Sequence, residues 1–241
     1  MRNILKQSAP LRRAYYKMRL ATASGQSDEA DIIERLSTEA PKTFIEFGFH
    51  PVEFNCINLA RSAEWRGLLI DGSERQASDA RALFPGRIAV HHRFLTLDNL
   101  DIVRNAFSEI GVLSIDVDGN DYWFLKELLP TRPRVICVEY NSTFGLESVT
   151  IPYDPSFDRN KAHSRGWYHG ASLAALAKLC AAAGYGLSAV SSNGINAFFS
   201  ESGKLDPAQA WRPNSERERL SGGISHEKQR ESIKGLPMLP I

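Results

Sequence analysis

Several protein classes are excluded by what this sequence lacks. It has only three cysteines in 241 residues, Cys56, Cys137 and Cys180. They are odd in number, widely spaced and set among apolar residues, which predicts reduced core thiols and neither disulfides nor structural zinc. No apolar run reaches the ~18 residues that span a bilayer, and no apolar core follows the basic N-terminus as in a secretory signal. These absences predict a cytoplasmic protein.

An excess of charge of one sign is also missing. The formal net charge is +1, from 29 Lys and Arg against 28 Asp and Glu. Nucleic-acid-binding proteins usually carry a basic stripe and a high isoelectric point, so no nucleic-acid partner is expected. Basic residues cluster between Arg2 and Arg19, where a solvated amphipathic helix is favoured over a membrane or polyanion contact.

Apolar runs of strand length alternate with helical patterns in the middle of the chain. The predicted strands cover residues 43–48, 67–72, 87–94, 112–119 and 134–141. This alternation predicts right-handed crossovers and a mostly parallel sheet with helices on both faces. A helix at 171–183 precedes two strands joined by an Asn193-Gly194 turn, a strong hairpin signal. The pattern predicts an α/β, Rossmann-like class I methyltransferase fold with a terminal antiparallel hairpin.

Three segments differ in composition, which suggests a division of the chain. Residues 1–40 are expected to form a helical extension, 41–202 the Rossmann-like domain, and 203–241 a loose or partly helical polar tail. Residues 142–170 have no clear period, and so long an insertion is typical of a lid or binding loop. Either terminal segment could mediate self-association, so a homo-oligomer stays open.

Polar residues at the predicted strand ends are candidates for ligand binding, because ligands of open α/β sheets bind there. Glu46 can accept from a ligand amine or hydroxyl, and Gly48 allows close backbone approach. Asp71 suits ribose hydroxyls, and Asp116 lies near where donor and acceptor would meet. Each acid could equally cap a helix. The loop after Gly48 lacks GxGxxG, which disfavours a pyrophosphate and favours S-adenosylmethionine (SAM) over NAD.

The densest polar cluster follows the fourth predicted strand, as Asp116-Val117-Asp118-Gly119-Asn120-Asp121. With Glu139 and Asn141 at the next strand end, these oxygens could hold Mg²⁺ or another divalent cation. The alternative is a glycine-containing turn in which Asp118 or Asn120 caps the next helix.

The irregular insertion contains two histidines, His163 and His169, with Tyr168 between them. A histidine can take a proton from a hydroxyl acceptor, so both histidines are candidate general bases, and Asp116 is the third candidate. The alternative is that the two histidines and Tyr168 are ordinary lid residues. Asn196 is a candidate substrate contact that could instead only close the hairpin turn.

Five short runs taken together resemble a bacterial group related to the FkbM-type SAM-dependent methyltransferases. They cover 115–123, 134–141, 152–154, 170–173 and 196–199, and the resemblance extends over about residues 43 to 200. It implies the class I fold, SAM as methyl donor, and a hydroxyl acceptor on a sugar, glycan or secondary metabolite. The chain departs from the family pattern in its single glycine after strand one, and in Asp-Val-Asp-Gly where Asp-Val-Glu-Gly is usual.

The resemblance also implies roles for individual positions. Glu46 and Gly48 would line the methionine side of SAM, Asp71 would bind the ribose, and Arg93 and Phe94 would flank the adenine. Further cofactor contacts are expected at Phe49, Gly72 and Ser73, and substrate contacts at Asp118, Asn120, Tyr168 and Asn196. Asp116 would lie beside the methyl group. A distant likeness to metal-dependent O-methyltransferases places a metal at Asp116, Glu139 and Asn141.

The sequence thus predicts a SAM-dependent methyltransferase that acts on a small-molecule or glycan hydroxyl. One alternative is an NAD-dependent sugar oxidoreductase or epimerase on the same scaffold, which would bind nicotinamide. Another is a non-catalytic, methyltransferase-like binding protein, which would bind SAM weakly or not at all. Fold alone does not separate these alternatives.

Overall fold

The computed structural model describes residues 8–23 and 25–241, and it contains two β-sheets. The strands are β1 (Thr43–Phe47), β2 (Arg66–Asp71), β3 (Ile88–His92), β4 (Val112–Ile115), β5 (Val135–Glu139), β6 (Val149–Thr150), β7 (Gly186–Val190), β8 (Asn196–Ser200) and β9 (Leu239–Pro240). The large sheet has the order β3-β2-β1-β4-β5-β8-β7, and β6 pairs with β9.

Strands β1 to β5 are parallel, while β8 runs antiparallel to both β5 and β7. The Rossmann-like α/β fold with a terminal antiparallel hairpin is therefore confirmed. Neighbouring residues of one strand face opposite sides of the sheet: Ile45 and Phe47 pack in one core cluster, and Phe44 packs in another. Burial on both faces explains why these strands read as continuous apolar runs.

Eleven α-helices lie among the described residues. They are α1 (Ala9–Leu20), α2 (Glu29–Leu36), α3 (Ile57–Arg61), α4 (Glu74–Leu83), α5 (Asp101–Arg104), α6 (Asp121–Leu128), α7 (Arg159–Ala162), α8 (Leu173–Ala182), α9 (Pro207–Ala210), α10 (Ser215–Leu220) and α11 (His226–Ser232). None of the helices in this described part is long and apolar enough to cross a membrane. Single 3₁₀ turns occur at Leu97–Asn99, Leu129–Thr131 and Ser142–Phe144.

Over its described residues, the N-terminal extension contains α1 and α2. Helix α1 packs on α4 through a buried ion pair, in which Arg12 Nη2 donates to Asp79 Oδ1 at 2.9 Å. Arg13 Nε donates to the same oxygen at 3.1 Å. Part of the basic N-terminal cluster therefore holds the extension on the domain, while Lys17 and Arg19 stay exposed.

The sequence predicted a loose or partly helical tail at residues 203–241, and part of this segment is helical. This segment contains α9, α10, α11 and β9, and Ile233 is fully buried in a third apolar cluster with Phe144 and Ile151. The other apolar residues of this segment are divided between two cores. Ile224, Leu236 and Met238 pack in the same third cluster, whereas Trp211 and Ile241 pack against the core of the main sheet. The 142–170 insertion and this segment fold together at the carboxyl edge of the sheet.

Candidate functional site

The ends of β1 and β4 touch at a glycine. Gly48 has φ of +76°, and a Cβ at this position would lie 1.4 Å from the carbonyl oxygen of Asp116. Gly48 N donates to Ile70 O, and Asp116 N donates to Phe47 O, both at 3.1 Å. The absence of a side chain at Gly48 therefore brings the polar ends of three strands together. The sequence predicted close approach to a ligand here, and the structure adds close approach to β4.

Glu46, at the end of β1, organises the loop that follows. Its two carboxylate oxygens accept from the backbone N–H groups of Asn55 and Cys56, each at 2.8 Å. The Asn55 side chain in turn donates to Ser114 Oγ at 3.1 Å. Burial raises the pKa of Glu46 to about 7, and the two backbone hydrogen bonds oppose that shift.

Asp71, at the end of β2, likewise accepts hydrogen bonds from the backbone of two loops. It accepts from the backbone N–H of Phe49 at 3.1 Å and of Ser73 at 2.6 Å. Burial raises the pKa of Asp71, while these hydrogen bonds lower it. Ser73 itself begins α4, and its hydroxyl accepts from Gln76 N at 3.4 Å. The structure therefore gives Ser73 a helix-capping contact in place of the predicted cofactor contact.

Two adjoining cavities open over these strand ends. A cavity of about 390 Å³ is lined by Glu46, Gly48, Phe49, Asp71 and Asp116, among others. A second, of about 190 Å³, is lined by Gly48, Asp71, Gly72, Arg93, Phe94 and Asp116, among others. Phe94 is 61% exposed, which is unusual for so large an apolar ring. Apart from Ser73, the structure brings every residue predicted for the cofactor to these two cavities.

A larger cavity of about 660 Å³ shares Asp116 and Asp118 with both smaller ones. Glu139 and Arg217 also line it. Burial and the neighbouring Glu139 raise the pKa of Asp116 well above its usual range. Asp116 thus lies where the three cavities meet.

Three acids in this region could hold a cation. Carboxylate oxygens of Asp116, Asp118 and Glu139 lie within 4.8 Å of one another. Glu139 Oε2 is buried and has no hydrogen-bond partner among the described residues, and burial raises the pKa of Glu139 to about 8. Asp118 forms an ion pair with Arg159. Such a set of hard oxygens fits Mg²⁺ or Ca²⁺, provided that the cation displaces Arg159 from Asp118.

Asn141, the third predicted metal ligand, is engaged elsewhere. Its Oδ1 accepts from Arg217 Nη1 at 2.8 Å and from Thr143 N at 3.1 Å. Its Nδ2 donates to the carbonyls of Trp167 and His169 at 2.8 and 2.9 Å. Arg217 occupies the oxygen that a cation would need, so the acid cluster contains Asp118 in place of Asn141.

His169 does not have the surroundings of a general base. It is 1% exposed, and its Nε2 accepts from Arg217 Nη2 at 2.8 Å and from Arg159 Nη2 at 3.3 Å. Burial and these two cations lower its pKa well below the usual range, so the ring is neutral. Its Nδ1 lies 3.8 Å from Glu139 Oε2, beyond hydrogen-bond distance. Because its lone pair is already used, the predicted proton transfer by His169 is not supported.

His163 also has a structural role. Its Nδ1 accepts from the backbone N–H groups of Arg165 and Trp167 at 3.3 and 3.4 Å, and its ring stacks on Trp167. Burial lowers its pKa. These contacts use the nitrogen lone pair that a base would need, so the predicted proton transfer by His163 is not supported.

Only one of the four predicted substrate residues, Asp118, lines the large cavity. Asn120 lines the 190 Å³ cavity and donates to Asp154 O at 2.8 Å. Tyr168 packs near Phe157, and its hydroxyl donates to Pro237 O. Asn196 lies opposite Glu139 in the β5–β8 register, and its buried Oδ1 has no partner among the described residues.

Several residues around the large cavity carry no sequence signal for a site. These are Gln26, Arg159, Arg165, Trp167, Asn214 and Arg217. Arg159, Arg165 and Trp167 belong to the aperiodic insertion, and Asn214 and Arg217 to the C-terminal segment. Their place in the site depends on contacts between distant parts of the chain.

No protein-family model matches the sequence, and no curated protein matches it. Similar solved structures include an O-methyltransferase from Bacillus cereus in complex with SAH (S-adenosylhomocysteine), at 21% identity, TM-score 0.49, and coverage of 73% of this chain and 80% of that one. The N-terminal domain of EvdMO1, with SAH and D-fucose, has 14% identity, TM-score 0.45 and coverage of 73% and 82%. An O-methyltransferase family protein from Burkholderia thailandensis has 13% identity, TM-score 0.46 and coverage of 73% and 56%. At these identities, and with TM-scores below 0.5, the likenesses say nothing about the activity of this chain.

Proposed function

We propose that this protein is a SAM-dependent methyltransferase that methylates a hydroxyl group of a small molecule or glycan. The observation that carries the proposal is the meeting of three cavities at Asp116, at the carboxyl end of β4. Two cavities lie over β1 and β2, where a nucleoside ligand of this sheet is expected. The third is lined by polar groups on which an acceptor can dock.

The two smaller cavities suit the two halves of SAM. Phe94 offers an exposed ring to the adenine, and Asp71 keeps lone pairs for the ribose hydroxyls. Gly48 and Phe49 line the cavity that would take the methionine portion. The loop after β1 has no glycine-rich phosphate cradle, which SAM does not need.

In the proposed reaction the acceptor oxygen attacks the sulfonium methyl in line. The C–S bond breaks as the O–C bond forms, which leaves SAH, and the hydroxyl proton is released. Holding the two reactants at Asp116 accounts for much of the acceleration, because oriented reactants avoid a large entropic cost. Burial raises the pKa of Asp116, and it raises that of Glu139 to about 8, so each is a stronger base when it is ionised, and its ionised form can receive the proton.

A divalent cation would be held by Asp116, Asp118 and Glu139. When bound it would lower the pKa of a coordinated acceptor hydroxyl. Arg159, released from Asp118, would then stay close to the cluster through its contact with His169. The buried, unpartnered Oε2 of Glu139 supports this site.

Calorimetric titration with SAM, and separately with NAD⁺, tests the donor. We expect micromolar SAM binding and no heat with NAD⁺. Asp71→Asn should weaken SAM binding about tenfold, since hydrogen bonds to a charged group are lost. Asp98→Asn removes an exposed acid on the loop after β3 and should leave SAM affinity unchanged. Binding of NAD⁺ alone would favour an oxidoreductase, and binding of neither ligand would favour a non-catalytic protein.

Turnover is tested by SAH release in the presence of a panel of sugars and hydroxylated metabolites. Asp116→Asn should keep SAM affinity within about twofold while SAH release falls about 100-fold, the usual contribution of a positioned acid or base. Addition of EDTA, followed by Mg²⁺, shows whether a cation takes part. Full turnover by Asp116→Asn would overturn the assignment of Asp116.

A further inference from the structure

A stack of three side chains, His163, Trp167 and Arg165, lies beside the large cavity, and Trp167 and Arg165 line it. The His163 ring stacks on Trp167, with centroids 5.7 Å apart and planes 24° apart. The Arg165 guanidinium carbon lies 5.1 Å from the Trp167 ring, in cation–π contact. Gly166, between Arg165 and Trp167 in the chain, has φ of +63°, which allows a tight turn. The side chains of His163 and Arg165 therefore both reach the Trp167 ring.

The stack is fixed to the rest of the site. His163 Nδ1 accepts from the backbone of both Arg165 and Trp167, and the Trp167 carbonyl accepts from Asn141 Nδ2 at 2.8 Å. Trp167 is 6% exposed, and Asn141 is 1% exposed. Asn141 follows Glu139 by two residues at the end of β5. The position of Arg165 is therefore set relative to the acid cluster.

The three arginines of this cavity differ in their partners. Arg159 is bound to Asp118, to Gly166 O and to His169. Arg217 is bound to Asn141, Thr143 and His169. The Arg165 guanidinium forms no hydrogen bond or ion pair within residues 8–23 and 25–241, although it lines the cavity.

The cavity is therefore polarised. At its floor lie Asp116 and Glu139, and at its wall lies Arg165, which has no ion-pair partner in the described ranges. The two other lining acids are already paired, Asp118 with Arg159 and Glu216 with Arg219. A planar guanidinium presents a fork of donors that matches the oxygens of a carboxylate or phosphate.

The geometry points to an acceptor that carries an anionic group, a carboxylate or a phosphate, bound by Arg165 on the Trp167 platform. Its reacting hydroxyl then lies toward Asp116. This inference rests on the proposed methyltransferase function and narrows its acceptor class. A volume of about 660 Å³ lies within the range of small-molecule sites, and Leu220 and Ile195 supply apolar contacts.

The test uses three matched sugars as probes: D-glucuronate, glucose 1-phosphate and glucose. Binding is followed by NMR on the indole N–H signal of Trp167, assigned with Trp167→Phe, with the protein free and with it saturated with SAH. We expect at least one anionic sugar to bind about tenfold more tightly than glucose, because hydrogen bonds to a charged group are the stronger ones. Whether glucuronate or glucose 1-phosphate binds more tightly identifies the anion as carboxylate or phosphate.

Three variants isolate the role of Arg165. Arg165→Gln should abolish the preference for the anionic sugar, and Arg165→Lys should keep part of it, because the charge remains but the fork is lost. Lys161→Gln removes one positive charge from the same insertion, at a side chain 85% exposed, and should change no affinity by more than about twofold. Glucose binding should be equal in all four proteins.

Equal binding of glucose and both anionic sugars to the wild type would overturn the inference, as would an anion preference that survives in Arg165→Gln. SAM affinity, measured on the same samples, keeps the two proposals apart. If SAM binds but no anion is preferred, only the acceptor class is wrong. If SAM does not bind, the methyltransferase proposal fails, whatever the sugars do.

Discussion

Gly48 and Asp116 are in contact through their backbones, so that no side chain at position 48 fits beside the Asp116 carbonyl oxygen. This contact joins the ends of β1 and β4. The positions of Asp116 and Asp118, the two acids that line all three cavities, depend on it. In the sequence, Gly48 corresponds to the first glycine of a GxGxxG motif whose second and third glycines are missing.

Gly48→Ala is expected to destabilise the fold and to abolish SAM binding. The alanine would adopt a left-handed conformation, which costs about 1–2 kcal/mol, and its Cβ would also displace β4. We expect a total loss of at least about 3 kcal/mol in the free energy of unfolding, measured in urea. Gly86→Ala is the matched control, because Gly86 has φ of +90° and a Cβ at that position would meet no atom within 4 Å. Equal losses of stability in Gly48→Ala and Gly86→Ala would show that a Cβ at position 48 meets no steric penalty from Asp116.

Arg217→Gln should loosen the C-terminal segment and change the titration of His169. The variant loses hydrogen bonds to Asn141, Thr143 and His169, which should cost about 2–3 kcal/mol, because it leaves buried groups without partners. Removing one of the two cations beside His169 should raise the pKa of that histidine, which NMR titration of its ring reports.

Arg219→Gln is the control for that experiment. It removes an arginine from the same helix, α10, but this one is exposed and bound only to Glu216 among the described residues. We expect an unchanged urea midpoint and an unchanged His169 titration. A His169 pKa that is the same in Arg217→Gln as in the wild type would contradict the neutral, arginine-bound ring inferred from the structure.

The sequence predicted the sheet because its strands are short apolar runs that end in polar residues. Val112–Ile115, for example, is buried throughout and is followed directly by Asp116. The strand-end acids Asp71 and Asp116 could be placed for the same reason, since parallel strands bring their carboxyl ends to one edge.

On the acceptor side the sequence indicated the 142–170 insertion as a lid or binding loop, but not which of its residues line the cavity, nor those of the C-terminal segment, because these come together only through long-range contacts. Arg217 lies in a segment of alternating charges, typical of a solvated helix, yet it binds Asn141 from 76 positions further along the chain. For His169, in contrast, the sequence suggested a role that its contacts do not support. Its residue type suggests a base, but two arginines, at positions with no motif, occupy its lone pair.

Ile233→Ala tests whether the C-terminal segment is part of the folded core. Ile233 is fully buried with Phe144 and Ile151, so its truncation should leave a cavity and cost about 2–5 kcal/mol. Leu205→Ala, at a side chain 49% exposed, should cost much less. Both values come from urea unfolding monitored by tryptophan fluorescence. A loss at Ile233 no larger than that at Leu205 would mean that residues 203–241 detach in solution.

Glu139→Gln should change how stability depends on pH. The pKa of Glu139 is about 8 in the folded chain against an ordinary value of 4.5, so the folded state binds the proton more tightly. The stabilisation of the folded state by this proton is fully present below pH ~4.5. It declines as the pH rises toward ~8, since the folded state must then bury a charge. The glutamine stays neutral, so relative to the wild type the variant should gain on the order of 1–3 kcal/mol between pH 5 and 8. Glu64→Gln, at an exposed position, should follow the wild-type pH curve. Parallel curves for Glu139→Gln and the wild type would mean that Glu139 is already ionised at neutral pH in the folded protein.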